Sequence, residues 1–226
     1  MSSPIGCLRR IPARALVHGL RMCPLETGWI DEHLCAVNLG FVNIFLYQKG
    51  GAQVCFDAGY GNLTLRQELT SLNTDPADVS HIFLTHSDFD HVGCLNMFSG
   101  AQVYLSEDEE KLIAPPRPLR FLVVRNRRIR RKYKLLCDNE TVSVGPITVK
   151  AIKTPGHTPG SMSYLVDGRV LFTGDTLSLR SGQTVPNKMF TMDLETLRTS
   201  ADALTKLKGV EMLVTAHDGI LRLRAN

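Results

Sequence analysis

The 226-residue chain has no apolar run that approaches the ~20 residues a helix needs to cross a bilayer. A membrane-spanning class is therefore not expected. Its six cysteines, at 7, 23, 35, 55, 94 and 137, are scattered and form no Cys-x-x-Cys pair. They read as reduced thiols of a cytosolic protein rather than as a disulfide framework. The first 21 residues carry Arg9, Arg10 and Arg14 but no unbroken apolar core before a small-residue cleavage site, so no secretion signal is expected. Internal repeats and low-complexity segments are absent too, which excludes solenoid arrays and disordered tails as the main architecture. An apolar content of 43% over this length suits one large α/β domain with a full core.

Acidic residues are missing from one stretch. Between Arg117 and Lys134 stand nine basic residues and no acidic one. The formal charge of the chain is +4; taking those nine from its 26 basic residues leaves −5 against 22 acidic residues. The positive balance is local, and residues 114–137 read as a basic insertion. One reading is a solvated helix with an interrupted stripe of Leu119, Leu122, Ile129, Tyr133 and Leu136. The other is an electropositive wall that draws an anionic small-molecule substrate, with an acidic lipid surface or a nucleic acid as less favoured partners.

Residues 1–35 carry little pattern. From Phe41 to Tyr47 and from Val54 to Phe56, β-prone runs flank Gly50-Gly51 and predict a hairpin. Helical spacing predicts a helix over Asn62–Leu72, then a strand over Val79–Leu84, a helix over Val92–Phe98 and a strand over Ala101–Leu105. Alternating apolar residues from Thr141 to Ile152 predict another hairpin. Asp167-Gly168 predicts a tight turn between Tyr164–Val166 and Val170–Phe172. Asp193 is a helix N-cap before the apolar face Leu194, Leu197, Ala201, Leu204 and Leu207, which Gly209 ends. The strand Val210–Val214 follows. Strands and helices grouped in this way fit two stacked sheets with outer helices.

The strand ends carry the chemistry. Residues 85–91 read Thr-His-Ser-Asp-Phe-Asp-His, directly after Ile82-Phe83-Leu84. His86, Asp88 and Asp90 occupy every second position and can face one side of an extended segment, with His91 beside them. Imidazole and carboxylate are the usual ligands of zinc, iron and manganese. His157 lies in Thr154-Pro-Gly-His-Thr-Pro-Gly160, Asp175 in Thr173-Gly-Asp-Thr176, and His217 in Thr215-Ala-His-Asp-Gly219. Each follows a β-prone run or a Pro/Gly turn, where a rigid sheet can hold ligands at one edge. His18, His33 and His81 read as structural, with His33 the one candidate for the pocket mouth.

The order and wording of these motifs resemble the metallo-β-lactamase superfamily, from about Ala36 to His217. Asp57, in Val54-Cys-Phe-Asp-Ala-Gly59, is similar to the early strand-turn aspartate of that family. The resemblance implies a four-layer αββα sandwich as a single domain over residues 1–226, with a two-metal site at one edge. It implies that His86, Asp88 and His157 bind one metal, that Asp90, His91 and His217 bind the other, and that Asp175 bridges them. Asp88 departs from the pattern, standing where most members have a second histidine. A carboxylate there is similar to the glutamate of the flavodiiron branch and moves preference toward harder ions.

The expected cofactors are two divalent metal ions, zinc first, with iron or manganese as alternatives. The expected activity is a metallohydrolase whose metal-bridging hydroxide attacks an ester, thioester or lactone, with Asp90 orienting the hydroxide and shuttling its proton. A diiron protein that binds or reduces dioxygen is the alternative, and a nucleic-acid-binding or phosphodiesterase member ranks below it. Nine residues follow His217, which speaks against a glutathione-binding C-terminal domain. Cys94 is read as a redox-sensitive neighbour of the metals and not as a ligand.

Overall fold

The computed structural model describes residues 16–17, 20–113 and 129–223. A short ribbon of β1 (Leu16–Val17) and β2 (Leu20–Arg21) precedes two large sheets. The first sheet takes β3 (Gly28–Trp29), β4 (Leu34–Asn38), β5 (Asn43–Lys49), β6 (Ala52–Phe56), β7 (His81–Phe83), β8 (Gln102–Ser106) and β9 (Tyr133–Leu136) in chain order. From β6 to β9 its neighbours run parallel. The second sheet takes β10 (Thr141–Val144), β11 (Ile147–Lys153), β12 (Met162–Val166) and β13 (Val170–Phe172). A separate hairpin of β14 (Leu177–Arg180) and β15 (Gln183–Pro186) interrupts the chain before β16 (Met212–Thr215) and β17 (Gly219–Arg222) complete that sheet.

The alternation of side chains along each strand sorts the core into three slabs. Phe45, Tyr47, Val54, Phe56, Phe83 and Tyr104 of the first sheet meet Val149, Tyr164, Phe172 and Val214 of the second. Phe56 and Phe172 stack across the two sheets with centroids 3.8 Å apart. The opposite faces of the same strands, Ile44, Leu46, Cys55, Ile82 and Val103, pack under Leu65 and Leu69 of helix α1 (Asn62–Ser71). On the far side Leu171 and Leu213 pack with Ala201 and Leu204 of helix α4 (Leu194–Thr205). Helix, sheet, sheet and helix thus form the four layers that the sequence predicts.

Several predicted turns take the expected form. Asp167 and Gly168 both adopt positive φ, 49° and 69°, as a two-residue hairpin turn requires. The Asp193 carboxylate accepts from the N–H groups of Glu195 and Thr196 and caps α4. The predicted helix over Val92–Phe98 is different. Its place is taken by one helical turn, α2 (Phe89–Val92), and a separate 3-10 turn over Leu95–Met97. The break falls at Gly93, where a Cβ would stand 2.7 Å from the Phe89 carbonyl and 3.0 Å from that of Gly59. The hairpin β14–β15 and helix α3 (Glu107–Ile113) were not predicted.

The basic insertion also needs correction where it is described. Tyr133–Leu136 is an edge strand parallel to β8, not a helix. Arg131 is no part of an open cationic wall: its guanidinium donates to the carbonyls of Leu95 (2.8 Å), Phe98 (2.8 Å) and Ala101 (2.5 Å). Ile129 is buried in the α1-side core. Residues 114–128, with Arg117, Leu119, Arg120, Leu122, Arg125, Arg127 and Arg128, lie outside the described residues, as does His18. No helix among the described residues is long and apolar enough to cross a membrane.

Candidate metal centre

Every loop that carries a candidate ligand leaves the C-terminal end of a strand. Asp57 follows β6, His86 follows β7, His157 follows β11, Asp175 follows β13 and His217 follows β16. The sheets are held together at this edge. Met162 N–H donates to the Thr85 carbonyl at 2.8 Å, and the Tyr164 hydroxyl donates to the Leu84 carbonyl at 2.6 Å. Gly174 brings β13 against β7: a Cβ there would stand 2.6 Å from Thr85 Cβ. The glycines of the His157 loop act similarly, since a Cβ on Gly156 would collide with the backbone of Leu197 and one on Gly160 with that of Glu109.

These approaches bring all seven predicted side chains together, every one buried. They form overlapping triads, His86–Asp88–His157, Asp90–His91–His217 and His86–His91–Asp175. Asp88 Oδ2 lies 3.3 Å from His157 Nε2 and 3.6 Å from His86 Nε2. Asp90 Oδ2 lies 3.7 Å from His217 Nε2 and 3.8 Å from His91 Nε2. Asp175 sits between the two groups, with Oδ1 3.1 Å from His217 Nε2 and 3.6 Å from His91 Nε2, and Oδ2 3.6 Å from His157 Nε2.

Three of the four rings are aimed from behind, while His157 Nδ1 is buried without a hydrogen-bond partner among the described residues. His91 Nδ1 is 2.8 Å from Asp57 Oδ2. His217 Nδ1 is 2.7 Å from the Phe41 carbonyl, which can only accept, so that nitrogen carries the proton. His86 Nδ1 lies 3.0 Å from Thr85 Oγ1, whose hydroxyl also contacts both Asp57 oxygens. In each case the outer nitrogen is engaged and Nε2 faces the cluster, the usual means of orienting metal-binding histidines. His86 Nε2, His91 Nε2 and Asp175 Oδ1 are buried and have no hydrogen-bond partner among the described residues. Buried polar atoms left without partners are costly. Inward-facing atoms of this type, imidazole nitrogen and carboxylate oxygen, suit a divalent cation.

Electrostatics agree with that donor chemistry. Burial favours neutral Asp88, but its hydrogen bonds to His157 and His86 hold its carboxyl well below the usual range. Burial also opposes charge on Asp175, but the neighbouring imidazoles of His217, His91 and His157 outweigh it and hold that carboxyl well below the usual range. Burial disfavours protonated His217, yet the adjacent Asp175 raises it to about 9. Burial likewise disfavours charge on His86 and His91, but Asp88 and Asp175 raise the first and Asp57, Asp90 and Asp175 raise the second, so the carboxylates favour positive charge in this pocket.

Other candidates sit elsewhere. His33 is not at the mouth of the cluster; it packs against Tyr47 and shares a cavity with Trp29, Gln48 and Lys49, on the side of the sheets where β4 begins and β5 ends. Cys94 is fully buried, and burial pushes its thiol up to about 11, which argues against a reactive thiolate. The described cysteines, 23, 35, 55, 94 and 137, form no disulfide. Sequence reasoning missed Glu109, a fully buried carboxylate beside the cluster. Its signal was Ser106 followed three residues later by Glu109, a helix-start pattern: Ser106 Oγ accepts from the N–H groups of Asp108 and Glu109.

Beside His217 opens a cavity of about 440 Å³, lined by Met22, Val185, Pro186 and Met189 and by the cationic Arg180 and Lys188. On another side Phe41 stacks with Tyr60 (4.7 Å) and His217 (6.2 Å).

Relatives share this sequence pattern or fold. An uncharacterized protein, YobT, of Bacillus subtilis (strain 168) is 31% identical over 163 residues, 66% of this chain and 67% of that protein. The probable polyketide biosynthesis zinc-dependent hydrolase PksB of the same organism is 35% identical over 112 residues, 48% of this chain and 43% of its own length. The chain thus spans less than half of that named hydrolase. Among solved structures, the metallo-beta-lactamase family protein TTHA1429 of Thermus thermophilus aligns with a TM-score of 0.65 at 25% identity, over 84% of this chain and 74% of that one. The family model described as the metallo-beta-lactamase superfamily matches residues 37–217. That span begins in β4 and ends on His217, so it contains most strands of the two large sheets and every member of the buried cluster: the chain belongs to the metallo-β-lactamase superfamily.

Proposed function

We propose that the chain, as one domain, is a metal-dependent hydrolase of an ester, thioester or lactone with an anionic acyl portion. The observation that carries this reading is the inward convergence of buried Nε2 and carboxylate atoms around Asp175. His86, Asp88 and His157 would hold one divalent ion, Asp90, His91 and His217 the other, and Asp175 both. Zinc is the ion named for PksB, and the donor set suits it. Bound ions of this kind polarise a scissile carbonyl and acidify water at neutral pH.

The chain's own residues do the rest. The Phe41 carbonyl, Thr85 and Asp57 fix the rings of His217, His86 and His91 before substrate arrives, so little reorganisation accompanies the reaction. Asp90 Oδ2 faces the cluster on the His217 side, and it would orient the attacking water and carry its proton to the leaving group. The substrate body occupies the cavity beside His217, with its anionic end toward Arg180 and Lys188. Arg180 is already paired with Asp218 at 2.8 Å, so Lys188 is the freer cation among the described lining residues.

The test compares hydrolysis of 4-nitrophenyl butyrate, 4-nitrophenyl hydrogen glutarate, their thioester counterparts and a γ-lactone, before chelation, after it and after zinc is restored. Metal-dependent turnover with lower KM for the glutarate supports the reading. Absence of chelator-sensitive hydrolysis across the panel contradicts it.

A further inference from the structure

Glu109 has no place in the reaction just described, yet its carboxylate joins the two loops that supply one of the triads. Oε1 accepts from the Ser87 N–H at 2.9 Å and from the Ser87 hydroxyl. Oε2 accepts from the Thr158 hydroxyl at 2.6 Å. Ser87 is the residue between His86 and Asp88, and Thr158 is the residue after His157. These are the three members of one triad, and they come from loops about 70 residues apart in sequence.

The contact is built rather than incidental. Glu109 is 0% exposed, at the start of α3, and Gly160 lets the His157 loop lie directly on its backbone. Ser161 Oγ donates or accepts with Thr158 Oγ1 at 2.9 Å and accepts from Thr158 N–H at 3.0 Å, which sets the hydroxyl that Glu109 engages. Asp90, His91 and His217 are seated by different groups, among them Asp57 on His91 and the Phe41 carbonyl on His217.

We infer that Glu109 is a positioning residue that locks together the two halves of the His86–Asp88–His157 triad, so that its loss costs one metal position and spares the other. The inference rests on the two-metal reading above. Fixed side chains bind metal more tightly because their ordering is complete before binding. Removing the carboxylate removes the tie between Ser87 and Thr158 and lets the loops part, a change felt by Asp88 and His157 first.

Metal-free full-length protein is titrated with zinc by calorimetry, and bound metal is counted after gel filtration, so the readout does not depend on turnover. The wild type is expected to take two equivalents. Glu109→Ala should lower the affinity of one equivalent by ~10–100-fold, the range for groups that support metal ligands, and leave the other within about threefold. Glu109→Gln keeps an acceptor for Ser87 and should recover most of the loss. Thr158→Val and Ser87→Ala each cut one tie in a minimally altered fold and should weaken the same equivalent by a smaller factor; they carry the test if Glu109→Ala does not fold. Equal weakening of both equivalents, or no weakening in any variant, overturns the clamp while leaving the two-metal reading intact. Fewer than two equivalents in the wild type overturns that reading and the clamp with it.

Discussion

Asp57 Oδ2 lies 2.8 Å from His91 Nδ1, while Oδ1 of the same carboxylate accepts from the Thr85 N–H at 2.7 Å. One side chain thus fixes the ring of His91 and the strand end that launches His86. Asp57 itself adopts a φ of 62°, a left-handed conformation that aspartate tolerates better than most residues. Asp57→Asn keeps the shape but removes the charge beside His91. It should lower zinc affinity by ~10–100-fold, chiefly at the equivalent held by Asp90, His91 and His217. Zinc titration of the variant beside Glu109→Ala checks this, because the two should weaken different equivalents.

Asp88 should tune the centre as a ligand. Asp88→Ala is expected to lose about one metal equivalent and most hydrolysis. Asp88→His adds one unit of positive charge to the site, so the acidic limb of the pH–rate profile should move down and zinc should be preferred over manganese more strongly. Metal analysis and pH–rate profiles of both variants decide the matter; unchanged stoichiometry, identity and profile in both would remove Asp88 from the ligand set.

Arg131 is a structural cation. Its hydrogen bonds to the carbonyls of Leu95, Phe98, Ser99 and Ala101 tie β9's approach to the turn after α2. Arg131→Ala should cost about 2 kcal/mol, since hydrogen bonds to charged groups contribute ~1.5–3 kcal/mol, and lower Tm by ~4–8 °C for a domain of this size. Scanning calorimetry provides the value. KM for anionic esters should stay within twofold of the wild type.

Asp167 gives the fold an acid-sensitive tie. Burial favours its neutral form, but hydrogen bonds from Lys49, the Thr148 N–H and Tyr47 lower its pKa below that of a free carboxylate. Its contribution to stability is therefore complete above the unfolded value of ~3.9 and is lost as pH falls through the lower folded value. Asp167→Asn, which retains a residue tolerant of φ 49°, should be less stable than the wild type at pH 7, and the difference should shrink below pH 4. Denaturant melts of chelated proteins at both pH values measure it.

The ligands were legible in sequence because imidazole and carboxylate side chains cluster at strand ends, where Gly174 and Gly156 mark the close approaches beside Asp175 and His157. The expected alternation of His86, Asp88 and Asp90 along one extended segment is not what aims them, since Asp90 and His91 lie in the helical turn α2. The two-sheet core was legible from the strand period, since Phe45, Phe56 and Phe83 alternate with Ile44, Cys55 and Ile82. Glu109 was not, because its importance depends on a loop some 50 residues later arriving against it. Arg131 was misread because a count of charges does not reveal that backbone carbonyls have claimed one of them. The β14–β15 hairpin had a weak signal in Ser181-Gly182, both of positive φ, which only the paired strands make meaningful.

Asp175, between the two triads, is the residue proposed to hold two cations at once, and metal content of Asp175→Ala beside the wild type tests that role most directly. With its bridge gone, two cations would repel across the gap with no shared carboxylate between them. Elemental analysis of natively purified protein should find two divalent ions per wild-type chain, one or none in Asp175→Ala, and loss of most chelator-sensitive hydrolysis in the variant. Two ions per chain with near-normal turnover in Asp175→Ala would contradict the account.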